Sequence, residues 1–140
     1  YHKITVTDIV REAGVSRNSF YRNFQSVEEI ITQFLEQKTS KWWSEFIAYP
    51  DRYPHVISEM FYHFLDMREE IHLLYHAGLS HLLMEHIVLC EKLSQTGEIK
   101  NTYQIAFMSG GLCGLVNEWI LRGMKESPEE MEHIFSNHKI

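Results

Sequence analysis

The sequence lacks the features of several protein classes. It has two cysteines and three prolines among 140 residues, and Cys90 and Cys113 lie in apolar helical patterns without the spacing of a disulfide framework. We therefore expect both cysteines to be reduced core residues of a cytoplasmic protein. No signal-peptide pattern is visible. The least polar run, Ile105–Val116, is shorter than the roughly 20 apolar residues that span a bilayer.

The motifs of common enzymes are also missing. The sequence contains no G-x-S-x-G nucleophile elbow, no Gly-rich phosphate loop and no H-E-x-x-H helix. Serine, histidine and aspartate occur, but nothing in their spacing pairs a nucleophile with a base. We therefore expect that the protein is not an enzyme and that it uses no cofactor.

Positive charge is scarce, and its distribution along the chain is uneven. The net charge is −6, but residues 1–25 hold four basic and two acidic side chains, a net charge of +2. The remaining residues hold nine basic and seventeen acidic side chains, a net charge of −8. A basic head on an acidic body indicates that only the head meets a polyanion. Four cations are also compatible with an ordinary solvated surface.

Hydrophobic spacing predicts an all-α fold. Apolar residues recur at steps of three and four, and no segment shows the sustained alternation of a strand. Cap signals predict helices over Thr7–Ala13, Arg17–Phe24, Ser26–Ala48, Pro54 to about Leu65, Glu69–His76, Ser80–Leu93, Asn101–Arg122 and Ser127–His138. The stretch Ala48–Pro54 is the best linker candidate, and SQTGE at 94–98 is predicted to be a loop.

The stretch Asp8–Phe24, DIVREAGVSRNSFYRNF, has the pattern of a helix-turn-helix. Two short helices flank Gly14, which can adopt the left-handed backbone of a sharp turn, and Val15 is expected to fill the corner. Ser16 is the predicted N-cap of the second helix, whose Phe20 faces inward. The outer positions suit phosphates and base edges and hold Arg17, Asn18, Ser19, Tyr21, Arg22 and Asn23. An ordinary helical hairpin with a charged surface is the alternative.

Residues Ile4–Ile30 resemble the tetracycline-repressor (TetR) family of transcriptional regulators. The family pattern T-x-x-x-I-A-x-x-A-G-V-S is present with Val10 in place of Ala, and the recognition-helix pattern [ST]-[FL]-Y-x-[HY]-F follows it with Asn23 in place of His or Tyr. Gln25 and Val27 stand where the family often has lysine, a change that lowers nonspecific phosphate affinity. The resemblance implies a further helix before this point. The sequence begins at Tyr1 without it, so we expect an incompletely covered head that binds DNA less well.

The resemblance assigns roles to residues of the head and implies a mechanism. Arg17, Asn18 and Arg22 would contact base edges, whereas the contacts to phosphates and the DNA backbone would come from Thr7, Ser19, Tyr21 and Asn23. A homodimer would place two such helices in successive major grooves of a palindromic operator. An effector bound in the body would shift the helix over Ser26–Ala48 and release the DNA.

The resemblance therefore divides the chain into a helix-turn-helix region at residues 1–25 and an effector-binding and dimerisation domain at residues 26–140. It predicts a ligand-responsive regulator that is a repressor, as most of the family are. The alternative is a helical dimerisation module of the same family that binds neither DNA nor ligand.

The body contains an apolar helix interrupted by Gly110, Gly111 and Gly114. Each mid-helix Gly costs about 1 kcal/mol relative to Ala, so three together need a reason. Gly110 and Gly114 lie one turn apart and permit close helix approach. We predict a four-helix interface between this helix, the last helix and their copies, with contacts from Gly110, Gly114, Leu115, Trp119, Met131 and Phe135. A central helix buried inside a monomer is the alternative.

The middle helices are rich in aromatic side chains and methionine, which suit an apolar ligand with a few polar groups. The predicted ligand-binding residues are Phe61, Phe64, Tyr75, Met84 and Trp119. Ordinary core packing is the alternative for each of them.

Histidine is frequent, and two of the nine histidines have metal-ligand spacing. His72 and His76 lie one turn apart, Glu69 lies a turn earlier, and His81 or His86 would have to complete a site. Nothing in the sequence fixes that geometry, and surface or core histidines are the simpler interpretation. We predict no metal site.

Overall fold

The chain is almost entirely helical. The computed structural model describes residues 3–94 and 102–137, and in these two ranges it contains eight α-helices, one 3₁₀ segment and no strand. The elements are α1 (Val6–Ala13), α2 (Arg17–Asn23), α3 (Val27–Ile47), a 3₁₀ segment (Pro50–His55), α4 (Val56–Asp66), α5 (Arg68–His76), α6 (Ser80–Ser94), α7 (Thr102–Leu121) and α8 (Pro128–Asn137). The predicted all-α class is confirmed.

The first two helices form the predicted pair around Gly14, which has φ 67°. Helix α1 begins slightly earlier than predicted, because Thr5 is its N-cap and forms a capping box with Asp8. The expectation that Val15 fills the corner is wrong, since its side chain is 47% exposed. The turn is closed by the backbone instead, where the Val15 N–H donates to the Val10 carbonyl at 3.0 Å.

The predicted linker at 48–54 is largely ordered as the 3₁₀ segment, and α4 therefore begins at Val56 rather than Pro54. Side chains attach the segment to its neighbours. The guanidinium of Arg52 pairs with the carboxylate of Glu59, with 2.9 Å between Nε and Oε1. The Tyr53 hydroxyl donates to the Ile47 carbonyl at 2.9 Å. The predicted loop at 94–98 lies, apart from its first residue, outside the described residues.

The predicted cap signals of the C-terminal half are confirmed. Gly78 and Gly123 follow α5 and α7 with φ 70° and 85°, the left-handed conformation that ends a helix. Ser127 Oγ accepts from the Glu130 N–H at 3.1 Å, and Glu130 Oε2 accepts from the Ser127 N–H at 2.6 Å. This capping box opens α8.

The core lies in the body, where α4 packs on α8, α6 packs on α7, and α3 packs on α6. The buried apolar side chains of this core are Leu35, Phe61, Phe64, Met67, Ile71, Leu74, Leu83, Ile87, Leu112, Val116, Trp119, Ile120 and Met131. The polar edge of Trp119 is satisfied because its Nε1–H donates to the Glu126 carbonyl at 2.9 Å.

The predicted division after residue 25 coincides with the N-cap of α3, where Ser26 Oγ accepts from the Glu29 N–H at 3.1 Å. That the head and the body are separate domains stays a prediction. Within the described ranges, no helix is both long and apolar enough to cross a membrane.

Candidate nucleic-acid interface

Helix α2 is held by its inner face. Phe20 is buried, and its ring lies against those of Tyr21 and Phe24 with centroid separations of 5.2 and 5.8 Å. Ser16 caps the helix because its Oγ accepts from the Ser19 N–H at 3.1 Å. These contacts fix which side of α2 faces outward.

The outward side of α2 carries the residues predicted to contact DNA. Five of the six predicted α2 side chains are exposed, namely Arg17, Asn18, Tyr21, Arg22 and Asn23, and Ser19 is half-buried. The structure therefore brings the predicted base-edge and phosphate contacts to a single surface. Planar amides, a phenol and guanidinium groups can donate to phosphate oxygens and to the base edges of the major groove.

Thr7 joins this surface from α1. The guanidinium of Arg17 donates to the Thr7 hydroxyl, which links the first turns of α1 and α2. Another cation of the head, Arg11, is paired with Asp8 at 2.9 Å and is thereby partly neutralised. The outward cations of α2 are thus Arg17 and Arg22, and a phosphate or base edge would compete with Thr7 for the first of them.

Two family models match parts of this chain. Residues 1–33 match the family model described as bacterial regulatory proteins of the tetR family, and residues 51–138 match that of a transcriptional regulator C-terminal region. The chain belongs to the TetR family of transcriptional regulators. Comparisons with curated proteins and with solved structures gave no significant match. In this regulator, the N-terminal match covers the whole of the helix-turn-helix, including α2.

The predicted dimer residues of the regulator fall into three groups by exposure. Gly110 and Gly114 are on the exposed side of α7. Trp119 is 1% exposed and Met131 is 4% exposed, so both belong to the core of their own chain and are removed from the predicted interface. Leu115 and Phe135 are half-buried and also pack against the core.

The sequence interpretation missed two apolar residues on the outer side of α7. Phe107 is 57% exposed and Leu121 is 64% exposed. Phe107 precedes Gly110 by three residues, Gly114 follows Gly110 by four, and Leu121 follows Gly114 by seven. Such steps place all four residues on one face of the helix. That spacing is present in the sequence, but apolar residues on every side of α7 conceal it.

The predicted ligand-binding residues do lie together, but they are packed against one another. Phe61 meets Trp119 edge-on at 4.9 Å between centroids, and Phe61 and Phe64 meet edge-on at 6.3 Å. Tyr75 and Met84 are half-buried against the same core, and the Tyr75 hydroxyl donates to Asn117 Oδ1 at 2.6 Å.

Two surface concavities lie elsewhere. One, of about 450 Å³, is lined by residues of the α7–α8 turn and α8, and the other, of about 280 Å³, lies where the start of α3 meets the α5–α6 turn. Neither is lined by a predicted ligand-binding residue.

The histidines of the metal hypothesis do not converge. His72, His76 and His81 are exposed, whereas His86 is buried. Among residues 3–94 and 102–137, no group of three or more histidine, cysteine, aspartate and glutamate side chains is placed to hold a metal ion.

Proposed function

We propose that this TetR-family regulator is a repressor that binds a palindromic DNA operator as a homodimer and is released by a small effector. One observation carries the DNA-binding part. The short helix α2 is anchored by buried Phe20 and turns Arg17, Arg22 and three further polar side chains outward from a head with net charge +2 on an otherwise acidic chain. TetR-family regulators are generally non-enzymatic DNA-binding proteins, and we place this one in the cytoplasm with its DNA.

Helix α7 supports the homodimer. A methyl group added at Gly110, Gly111 or Gly114 would meet nothing within 4 Å in the chain itself. Packing within one chain therefore gives no reason for three residues that each destabilise a helix by about 1 kcal/mol relative to Ala. A second α7 lying directly on these glycines would supply the reason, because the missing side chains let two backbones approach closely.

The apolar part of that contact comes from Phe107 and Leu121 on the same side of α7. A face with two large exposed apolar side chains around a glycine surface fits an identical face across a two-fold axis. The outer side of α8 is different in character, because Glu129, Glu130 and His133 are exposed there. We therefore propose that α7 supplies the apolar centre of the interface and that α8 lies at its polar rim.

The effector site is proposed in the core around Phe61 and Trp119. These rings are closely packed, so an apolar effector would have to separate them, which moves α4 relative to α7. Helix α3 contacts the same core through Leu35 and continues to Ser26 beside the head. Effector binding would thus change the spacing of the two α2 helices through α3, provided the effector has different affinities for the two arrangements.

Selection from a pool of random duplexes tests the DNA-binding proposal. The chain is mixed with the pool at low salt, bound duplexes are amplified and reselected, and the mass of the final complex is measured by light scattering. We expect inverted repeats with half-sites about one helical turn apart and two chains for each site. If no sequence were enriched and sedimentation still showed a stable dimer, the alternative of a dimerisation module that does not bind DNA would be favoured.

A further inference from the structure

Two buried histidines hold the same face of α3. His63 on α4 is 9% exposed, and its ring stacks on that of Trp42 with centroids 5.2 Å apart and an interplanar angle of 20°. His86 on α6 is equally buried, and its Nε2 lies 2.7 Å from Thr39 Oγ1. Thr39 and Trp42 lie one turn apart on α3. We call Thr39, Trp42, His63 and His86 the histidine seam.

The histidine seam is a polar junction in an otherwise apolar contact. The Nε2 atom of His63 is buried and has no hydrogen-bond partner within the described residues. A buried polar atom left without a partner destabilises the packed state, because its lost hydration is not replaced. The seam is therefore a weak part of the attachment of α3 to α4 and α6, and it is one that a proton can weaken further.

Burial keeps both imidazoles neutral in the packed state. It lowers the pKa of His63 from 6.5 to about 4 and also lowers the pKa of His86. Neighbouring charges modify the effect on His63: Asp66 on α4 and Glu45 on α3 favour the charged form, and His86 on α6 and Lys38 on α3 oppose it. Glu36 on α3 favours the charged form of His86. Desolvation is the largest contribution for both rings.

We propose that the histidine seam makes this regulator acid-sensitive: protonation of His63 and His86 releases α3 from α4 and α6 and thereby lowers the affinity of the head for DNA. The second half rests on the proposed function, because it requires α3 to set the position of α2. The first half requires only the geometry of the seam.

The direction and size of the effect follow from linkage. An opened seam exposes His63, which then takes up a proton near its ordinary pKa of 6.5, whereas the packed seam takes it up only near pH 4. Above pH 6.5 both states are neutral and the packed state keeps its full stability. Between pH 6.5 and 4 the opened state gains protons first. At about pH 5.5 the balance shifts roughly tenfold toward the opened state.

Urea unfolding at about pH 7.5 and 5.5 tests the seam directly, comparing the wild type with His63→Phe. Phenylalanine retains an aromatic ring against Trp42 but cannot titrate. We expect the wild type to lose about tenfold more in its folding equilibrium constant on acidification than His63→Phe does. The control His72→Gln removes an exposed histidine from α5 and should behave as the wild type.

If acidification lowered the folding equilibrium constant of His63→Phe and of the wild type by the same factor, the proposal would be overturned. A second measurement covers the case in which that variant fails to fold. Imidazole proton resonances of the wild-type chain are followed by NMR as pH falls, and we expect that of His63 to titrate near pH 4 and that of His86 to titrate below its ordinary pKa of 6.5. Titration of every imidazole near pH 6.5 would overturn the proposal as well.

Affinity for random duplex DNA at the same two pH values tests the link to the head. Both proteins keep all histidines of the head, so the ratio of wild-type to His63→Phe affinity isolates the seam. We expect this ratio to fall by up to tenfold at about pH 5.5. A constant ratio would overturn the link between seam and head. If neither protein bound DNA at either pH, the proposed function would fail, whereas the unfolding data would still decide the seam.

Discussion

The outer sides of α2 and α7 are both turned away from the core, yet they differ in almost every property. Helix α2 has seven residues, and its outer side carries guanidinium, amide and phenol groups. Helix α7 has twenty residues, and its outer side carries Phe107, Leu121, three glycines and one carboxylate, that of Glu118. The first surface can neutralise phosphates and read base edges, and the second is mainly apolar and can exclude water against another apolar surface.

The difference indicates how this regulator divides its two proposed contacts. DNA binding falls to a short helix whose position depends on a few buried side chains, such as Phe20 and Val10. Chain–chain binding falls to a helix that is itself part of the main core through Val116 and Trp119. We therefore expect changes on α2 to alter DNA affinity without affecting dimerisation, and changes on α7 to affect dimerisation first.

The largest effect is expected from Phe107→Glu. A carboxylate placed next to its own copy in a buried contact destabilises by roughly 3 kcal/mol or more, so the dimer dissociation constant should rise at least about a hundredfold. Sedimentation equilibrium measures it. Leu73→Glu is the matched control, because Leu73 is also a large exposed apolar residue, with 67% of its surface accessible, but lies on α5. Equal dissociation of both variants, or of neither, would show that α7 has no special role.

Arg22→Ala should have the next largest effect, and it should act on the other surface. Removing a base contact costs about 1–3 kcal/mol, a loss of roughly 5- to 150-fold in DNA affinity, with no change in sedimentation. Arg68→Ala is the control, since Arg68 is an exposed arginine of the body. Equal affinities of the two variants would contradict the assignment of α2 as the DNA-contacting helix.

Gly110→Ala tests whether a second chain covers the outer side of α7, because the substitution should strengthen an uncovered helix but weaken a dimer formed through it. In an isolated chain the new methyl group meets nothing and should stabilise the helix by about 1 kcal/mol. At a close helix contact the same methyl group separates the two backbones, and we expect the dimer to weaken by roughly tenfold. Sedimentation and urea unfolding across protein concentrations measure both effects. Tighter association would argue that the glycines do not touch a partner.

The smallest expected effects come from removing two helix N-caps, one at α2 in the head and one at α8 in the body. Ser16→Ala and Ser127→Ala each remove a hydroxyl that accepts a backbone N–H at 3.1 Å, and each should lower stability by about 1 kcal/mol. Only Ser16→Ala should also weaken DNA binding, because Ser16 caps α2. Thermal unfolding and duplex titration of both variants make the comparison. If Ser127→Ala lost as much DNA affinity as Ser16→Ala, the loss could not be attributed to the cap of α2.

Much of the fold could be predicted from local patterns. Helix ends at Gly14, Gly78 and Gly123 follow from the left-handed backbone that glycine permits, and Ser16 and Ser127 cap helices as their sequences indicate. The outer side of α2 was also predictable, because Phe20 marks the inner side of the helix and polar residues occupy its other positions.

The rest depends on contacts between distant parts of the chain. Local periodicity could not tell the inner from the outer side of α7, so Trp119 was assigned to an interface although it fills the core. Two prolines suggested a linker at 48–54, but the segment forms a 3₁₀ helix that the pair of Arg52 and Glu59 ties to α4. The histidine seam joins residues 47 positions apart, Thr39 and His86, and no local pattern records such a contact.

Salt dependence of duplex binding tests the central claim most directly. Affinity is measured between about 50 and about 200 mM salt for the wild type and for Arg22→Ala. We expect the logarithm of the binding constant to fall linearly with the logarithm of salt concentration, and Arg22→Ala to make the slope shallower by about one. No binding at about 50 mM salt, or an unchanged slope in the variant, would contradict the claim that α2 contacts DNA.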